Sequence, residues 1–544
     1  PRTGGEVVLA QNGNQFVGVG HNAVITDDAG QDFIVYHGID QRDPEIIERS
    51  GIPINRRSLL IDRLDYIDGW PVARGGIGPS NTTQRAPMTR GTVDDEFNRT
   101  TGIGSRFRQS GGNWTIFDPA GSNAGAVRQI SASAPSAMLI SNGSGPAQYR
   151  AEGDLRLRDL GTSGVGRYGL ITSYRNQNNH IAAYLQPDAS WMGGSLVTNI
   201  RSNGVNSFQV SALPATFNHR DFHNIAVSRR GNQVRFDLTE SRLEDPIAIQ
   251  QRQLPRPAGR GAALGAGRVG FATQNTSADF DNINAAKLFK PQTKVVANPR
   301  QGPLDAQYTD EFNGGLDPEN GWQYVSGRVP AEPSQEQANP QPDNPSQERP
   351  GYYRQQTDAR ELTRDNPPPN RLAHILAENA PSGDFTVTVK LDFPLPENDG
   401  FFFFQQAGVF IYENDDKYVR LDHVAIFNTR QIEFGKEKPD PTGGDNPPRE
   451  RQFGGTVLDN PEQVTWLRIV ARTDAGSGAQ TYTAFSSVDG VHYDRGGAWT
   501  FGKTNNPGDS PMVNRKIGIS AFGGVDPNQQ FFDADFDYVR VSRP

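Results

Sequence analysis

The chain contains no cysteine, which excludes disulfides, thiolate metal sites and a cysteine nucleophile. A secreted eukaryotic protein of this size would ordinarily carry disulfides, so the absence points to a bacterial source. Long apolar runs are missing too. A greasy stretch such as Phe401–Phe404 is strand-sized, and nothing approaches the ~20 residues of a membrane span. Positive charge is not concentrated anywhere. With 54 Lys and Arg against 62 Asp and Glu, the net charge is −8, which argues against nucleic acid as a partner. No phosphate-binding loop, no Gly-x-Ser-x-Gly elbow and no HExxH motif occurs. No signal peptide is present and the first residue is Pro1, so a mature, processed or truncated product is expected; its expected location is outside the cell or on its surface.

What the chain does contain is turn formers and aromatic residues: 59 Gly, 39 Pro and 29 Phe among 544 residues. Many short strands joined by turns produce this balance, and the predicted fold class is all-β. The length suits about three domains.

An internal duplication organises most of it. Asp95-Glu96-Phe97-Asn98 recurs as Asp310-Glu311-Phe312-Asn313, and Ala278-Asp279-Phe280-Asp281 recurs as Ala534-Asp535-Phe536-Asp537. Between these brackets, Tyr168 to Leu185 and Ala407 to Leu421 both read as strand, polar turn, strand. Alternation of apolar and polar residues between such turns signals antiparallel sheets with one buried face. The units are placed at 91–290 and 305–544, with 291–304 as linker. Extra length in the second falls at Pro330–Pro369 and Lys436–Glu450, which are Pro-, Gln- and Asn-rich and predict long loops. Both units resemble concanavalin-like, laminin-G-type jelly-roll sandwiches.

Residues 1–90 lie outside the repeat. Strands are predicted around Val7–Leu9, Val17–Thr26, Asp32–His37 and Arg57–Leu64. So small a sheet leaves one apolar face bare and should belong to a larger fold. Gly20-His21-Asn22-Ala23-Val24, Asp27, Gly30, Val35-Tyr36-His37, Leu59-Leu60-Ile61 and Asp68-Gly69-Trp70-Pro71 together resemble the last blade of a glycoside hydrolase family 43 propeller. The resemblance implies a five-bladed arabinanase-, arabinofuranosidase- or xylosidase-like enzyme, inverting, with a general base, a general acid and a modulating carboxylate on earlier blades. Nothing here matches the motifs around those acids. Either a propeller chain from the same precursor, the expected partner, supplies those blades, or the sequence is a fragment.

Candidate site residues follow. The family resemblance implies that His21 faces the central channel and holds a cation, usually calcium, or substrate; a hydrogen-bonded core histidine is the alternative. His37 is expected to be structural. Asp95 with Asp279, and Asp310 with Asp535, bring carboxylates to both ends of each sandwich and suggest one structural calcium per unit, unless they cap turns and solvate an edge. Asp533, Asp535 and Asp537 share one face of a strand, which a solvated edge explains. Tyr174, Trp191 and His180 in the first sandwich, and Tyr412, Tyr418 and Trp499 in the second, are candidates for sugar-binding platforms or else packing residues. Tyr352-Tyr353 is expected as an exposed pair. Two functions stand: the C-terminal part of a glycosidase acting on arabinan or arabinoxylan, or a non-catalytic polysaccharide-binding or adhesive module.

Overall fold

A computed structural model describes residues 7–47, 53–118, 125–162, 165–189, 191–240, 245–255, 264–313, 321–325, 351–358, 360–362, 373–396, 404–426, 429–439, 451–459, 461–504, 508–523 and 531–544. Much of the two predicted long loops lies outside these residues. The described chain is all-β, with two short 3-10 turns and no α-helix. It divides into two compact units. One comprises Pro1–Ala23, Ile34–Gln84 and Gln292–Pro544; the other comprises Val24–Phe33 and Arg85–Pro291. Residues 1–90 therefore do not form a unit of their own, as a lone small sheet cannot cover both its faces.

The first ninety residues hold β1 (Phe16–Thr26), β2 (Asp32–Asp40), β3 (Glu45–Ile47), β4 (Pro53–Asn55), β5 (Arg57–Ile67) and β6 (Trp70–Ala73). Four of them make one sheet in the order β1-β2-β5-β6, and β3 pairs with β4 as a separate hairpin. Ile34, Tyr36, Leu64 and Ala73 form its small core. Asp62, buried beneath that core, accepts hydrogen bonds from the Tyr36 hydroxyl at 2.6 Å and the Ser80 amide at 2.9 Å.

The first sandwich contains β7 (Val93–Asp95), β8 (Phe107–Ser110), β9 (Trp114–Phe117), β10 (Ala126–Gln129), β11 (Ala137–Ser141), β12 (Tyr149–Leu160), β13 (Arg167–Asn176), β14 (Asn179–Gln186), β15 (Ser195–Ser202), β16 (Val205–Ala212), β17 (His223–Arg230), β18 (Gln233–Thr239), β19 (Ala248–Gln253), β20 (Arg268–Gln274) and β21 (Thr276–Lys287). One sheet runs β19-β18-β17-β12-β21-β10-β9, with β7 also on β21; the other runs β16-β15-β14-β13-β20-β11-β8. Apolar residues at every second position of facing strands close over a core that includes Phe97, Trp114, Tyr168, Phe236, Phe271 and Phe280.

The second sandwich contains β22 (Gln323–Tyr324), β23 (Tyr353–Gln356), β24 (Leu376–Asn379), β25 (Phe385–Asp392), β26 (Gln406–Asn414), β27 (Lys417–Ile426), β28 (Thr429–Pro439), β29 (Arg451–Asp459), β30 (Val464–Thr473), β31 (Gln480–Ser487), β32 (Asp494–Phe501), β33 (Lys516–Phe522) and β34 (Asp533–Ser542). Its sheets run β32-β31-β30-β25-β34-β23 and β29-β28-β27-β26-β33-β24-β22. Strand for strand this is the order of the first sandwich, except that among the described residues β9 has no counterpart and β7 is matched by an isolated bridge of Asp310 to Val539 rather than a strand. Register agrees as well. Asp95 lies opposite Ile283, and Asp310 lies opposite Val539, which follow the two closing motifs at the same distance.

The duplicated glycines have a steric cause. Gly169 of β13 and Gly408 of β26 occupy equivalent strands, and a Cβ on either would collide with a carbonyl of the next strand, that of Ala183 or of Leu421.

Candidate functional site

Each repeated acidic-aromatic motif is a piece of scaffold. Asp95 accepts a hydrogen bond from the Phe97 amide at 2.8 Å, and Asp310 does the same for Phe312 at 2.8 Å. These Asx turns hold Phe97 and Phe312 at φ of 48° and 50°, a left-handed conformation that few non-glycine residues adopt. The reward is that both rings are fully buried in their cores. Arg99 then clasps Asp95 with both terminal nitrogens, at 2.8 and 3.1 Å.

At the closing motifs the second aspartate is buried and paired with arginine. Asp279 is fully buried; Arg128 donates to it at 2.5 and 3.0 Å, and Arg156 at 2.9 Å. Asp535 is clasped by Arg354 at 2.6 and 2.8 Å. Arg128 and Arg354 lie directly opposite their aspartates in register, and the glutamine after each, Gln129 and Gln355, donates to buried acceptors across the sandwich. Val127-Arg128-Gln129 and Tyr353-Arg354-Gln355 are thus a further repeat, which the sequence reading missed because only the shared Arg-Gln marks it.

Of the four aspartates expected to hold calcium, Asp95, Asp279 and Asp535 are each paired with an arginine, while Asp310 accepts from the Phe312 amide. At Asp95, Asp279 and Asp535 a guanidinium supplies the positive charge that a cation would otherwise bring. Among the described residues no group of three or more His, Asp or Glu is arranged to hold a metal ion. The expected exposure of Tyr353 is corrected. It is buried in the second core, its hydroxyl 3.0 Å from that of Tyr324, because the strand β23 carries it inward.

His21 stands on β1, exposed, at φ of 53°. Its ring centroid lies 5.7 Å from that of His37 on the neighbouring β2. Arg57 of β5 reaches both ring nitrogens of His37, at 3.3 and 3.4 Å. Partial burial, then Arg57 and His21, hold the His37 imidazole below its usual pKa and favour its neutral form. Two imidazoles beside a guanidinium suit hydrogen bonding to hydroxyls or anions.

The aromatic candidates divide. Tyr412 is buried and donates to Asp415 at 2.7 Å, and Tyr418 is buried and donates to Glu437 at 2.6 Å. Trp499 spends its indole N–H on the Phe434 carbonyl at 2.7 Å and packs on the core. Trp191 packs against the first core with the Arg220 guanidinium 4.1 Å above its ring. Tyr174 lies 6.1 Å from His180, itself buried and held toward its neutral form, chiefly by burial. Of these, Tyr412 and Tyr418 are buried, while Tyr174, Trp191 and Trp499 are half-buried. The tryptophan that is exposed is Trp70, at 60%.

The two sandwiches differ at one acidic position. Asp537 pairs with Lys390 at 2.5 Å. Its counterpart Asp281 faces Asp154 across the same strand pair and has no lysine there. Burial first, then the charges of Asp154, Glu96 and Asp95, push Asp281 up to about 7. Asp154 is held by the side-chain amides of Asn224 and Asn282, at 2.8 and 2.7 Å.

No protein-family model matches the chain, and no curated protein does. Among solved structures, the chain is similar to a point mutant of the GH43 protein BlXynB from Bacillus licheniformis, at 14% identity over 98% of this chain and 87% of that one, with a TM-score of 0.30. It is similar to xylan beta-1,4-xylosidase from Bacillus halodurans C-125 at 11% identity over 98% and 99% of the two chains, TM-score 0.29. The exoplasmic/lumenal domain of VIP36 aligns with 37% of this chain and 88% of its own at 11% identity, TM-score 0.27. At these values the likenesses extend to the all-β build alone.

Proposed function

We propose that this chain is the C-terminal portion of an extracellular family 43-type glycoside hydrolase acting on arabinan or arabinoxylan. In this reading the catalytic carboxylates sit on propeller blades outside this sequence, and hydrolysis is inverting. The observation that carries the proposal is strand β1. Among the described residues it forms the edge of its sheet; it spans eleven residues of which none is buried, and it contains no Asp, Glu, Lys, Arg or Pro. A long edge without such guards is a template for another strand or sheet. The same strand carries the Gly20-His21-Asn22 motif that resembles the family's channel-facing segment. A blade docked against β1 would cover the strand and leave the His21–His37 pair at its rim.

The test is the native mass of the purified protein with and without denaturant, followed by hydrolysis assays on arabinan and arabinoxylan. A co-purifying chain of roughly 30–40 kDa, the size of the missing blades at ordinary domain dimensions, with activity only in its presence, is the expected result. A lone species that stays inert when propeller blades are supplied would refute it and leave a non-catalytic polysaccharide-binding module.

A further inference from the structure

A cleft of 410 Å³ opens in the first-named unit between β6 and the start of β32. Its walls include Trp70, Val296, Asn298, Tyr493, Asp494 and Arg495. The size lies in the ~300–1,000 Å³ range of small-molecule sites.

The position of Trp70 is set by the turn before it. Asp68 and Gly69 both have positive φ, at 52° and 89°, so they close a two-residue hairpin between β5 and β6. Trp70 then pairs with Ile67 at the hairpin mouth and leaves most of its indole in solvent. The opposite wall is fixed by hydrogen bonds and stacking. Asn298 donates to the Tyr493 carbonyl at 2.6 Å, the Val296 amide donates to the Gly75 carbonyl at 2.8 Å, and the Arg468 guanidinium covers one face of Tyr493 at 3.3 Å. Arg495 reaches the Asn298 side-chain oxygen at 3.5 Å. The walls are therefore in place before any ligand arrives, which lowers the cost of binding.

We infer that this cleft binds a short neutral oligosaccharide, one ring of which lies against Trp70. The inference rests on the polysaccharide-directed reading above for the ligand class, and on the cleft for the place. A pyranose or furanose ring offers an apolar C–H face and a rim of hydroxyls. The indole and the Val296 side chain meet the first, and the amide of Asn298, the Asp494 carboxylate and the Arg495 guanidinium are spaced around the second. Asp68, Asp494 and Arg495 bring mixed charge, so the cleft has no strong call for an anion or a cation.

The experiment titrates the whole chain with xylohexaose, arabinohexaose and cellohexaose by calorimetry, and repeats it on Trp70→Ala and Trp70→Tyr. Trp70 is exposed, so neither change should disturb folding. The expected result is that one oligosaccharide binds, that Trp70→Ala weakens it about tenfold or more, and that Trp70→Tyr stays within about threefold, as loss and retention of ring stacking require. Equal binding by Trp70→Ala, or no binding of any oligosaccharide to the wild type, would overturn the inference. So would a change in sedimentation between wild type and Trp70→Ala, which would make the cleft a protein contact. Failure here with hydrolysis intact in the two-chain protein leaves the glycosidase reading standing. Binding at Trp70 without any partner chain or hydrolysis removes the glycosidase reading and keeps the cleft.

Discussion

Replacing Asp279 by Asn should open the first sandwich locally while leaving the second untouched. The carboxylate is fully buried, and it is the counter-ion of Arg128 and Arg156, both largely covered, with Arg158 at 3.8 Å. An amide keeps the shape and loses the charge, so two guanidinium groups are left beside each other in a poorly hydrated site. Removing one partner of a buried ion pair costs about 3–5 kcal/mol. At about 1.4 kcal/mol per tenfold change, amide exchange through local opening should accelerate by between about two and three and a half powers of ten. The assay is native-state hydrogen exchange on the whole chain, reading β10, β12 and β21, with β23, β25 and β34 as the internal control. A triple variant, Arg128→Met with Arg156→Met and Asp279→Leu, should recover most of the protection, because it removes the buried charges together and leaves only Arg158, which is 44% exposed and can turn to solvent. Chelator or millimolar calcium should move none of these rates in the wild type. Acceleration below about tenfold in Asp279→Asn, or equal acceleration in β34, would refute the pairing as a local keystone, and a calcium-dependent rate would restore the cation.

The pH dependence should have two opposing parts. Asp281 is raised to about 7 in the folded state against an ordinary value near 4, so the native state holds a proton that the unfolded chain has lost; its contribution is full below pH ~4 and disappears as pH rises to about 7. After discounting for partial exposure the loss is about 1–2 kcal/mol, and Asp281→Asn should abolish that slope in urea unfolding of the first sandwich. His219 runs the other way: burial lowers it to about 4, its Nδ1 faces the Tyr168 hydroxyl at 2.8 Å, and stability present above pH ~6.5 is lost as pH falls toward 4, by about 2–3 kcal/mol. His219→Gln should show a flatter acid limb in the same titration. Gly408→Ala should destabilise the second sandwich by about 1–3 kcal/mol or more, since the added methyl meets the Leu421 backbone; an unchanged thermal midpoint would show that β26 and β27 are spaced more widely than described.

The duplication was legible because it is written in local words. Asp-Glu-Phe-Asn is an Asx turn followed by a core ring, and four adjacent residues suffice to state it. The strand hairpins around Tyr168 and Gly408 were legible for the same reason, since alternation and turn chemistry are short-range. The roles of the aspartates were not. Arg128 and Asp279 are 151 residues apart, and no spacing rule tells a carboxylate destined for an arginine from one destined for calcium. Tyr353 misled because its neighbourhood is polar; its own strand alternates, and it points inward while Arg354 points to Asp535. Trp70 was visible only as part of a family-like motif. What makes it a binding surface, namely Tyr493 and Asn298 across the cleft, comes from residues more than two hundred positions away.

Pairing the first short segment of each sandwich with the last strand has a consequence for how such modules are made and copied. Asp95 cannot find Ile283, nor Asp310 find Val539, until the ribosome has released nearly the whole unit, so closure is a late, non-local event and the nascent sheet waits with its edge bare. The same arrangement sets entry and exit of the chain side by side. A module whose two ends meet can be spliced in tandem with little disturbance to its neighbours. Two copies in one polypeptide, alike in strand order yet free to exchange an aspartate cluster for a lysine pair, are what that kind of cassette leaves behind.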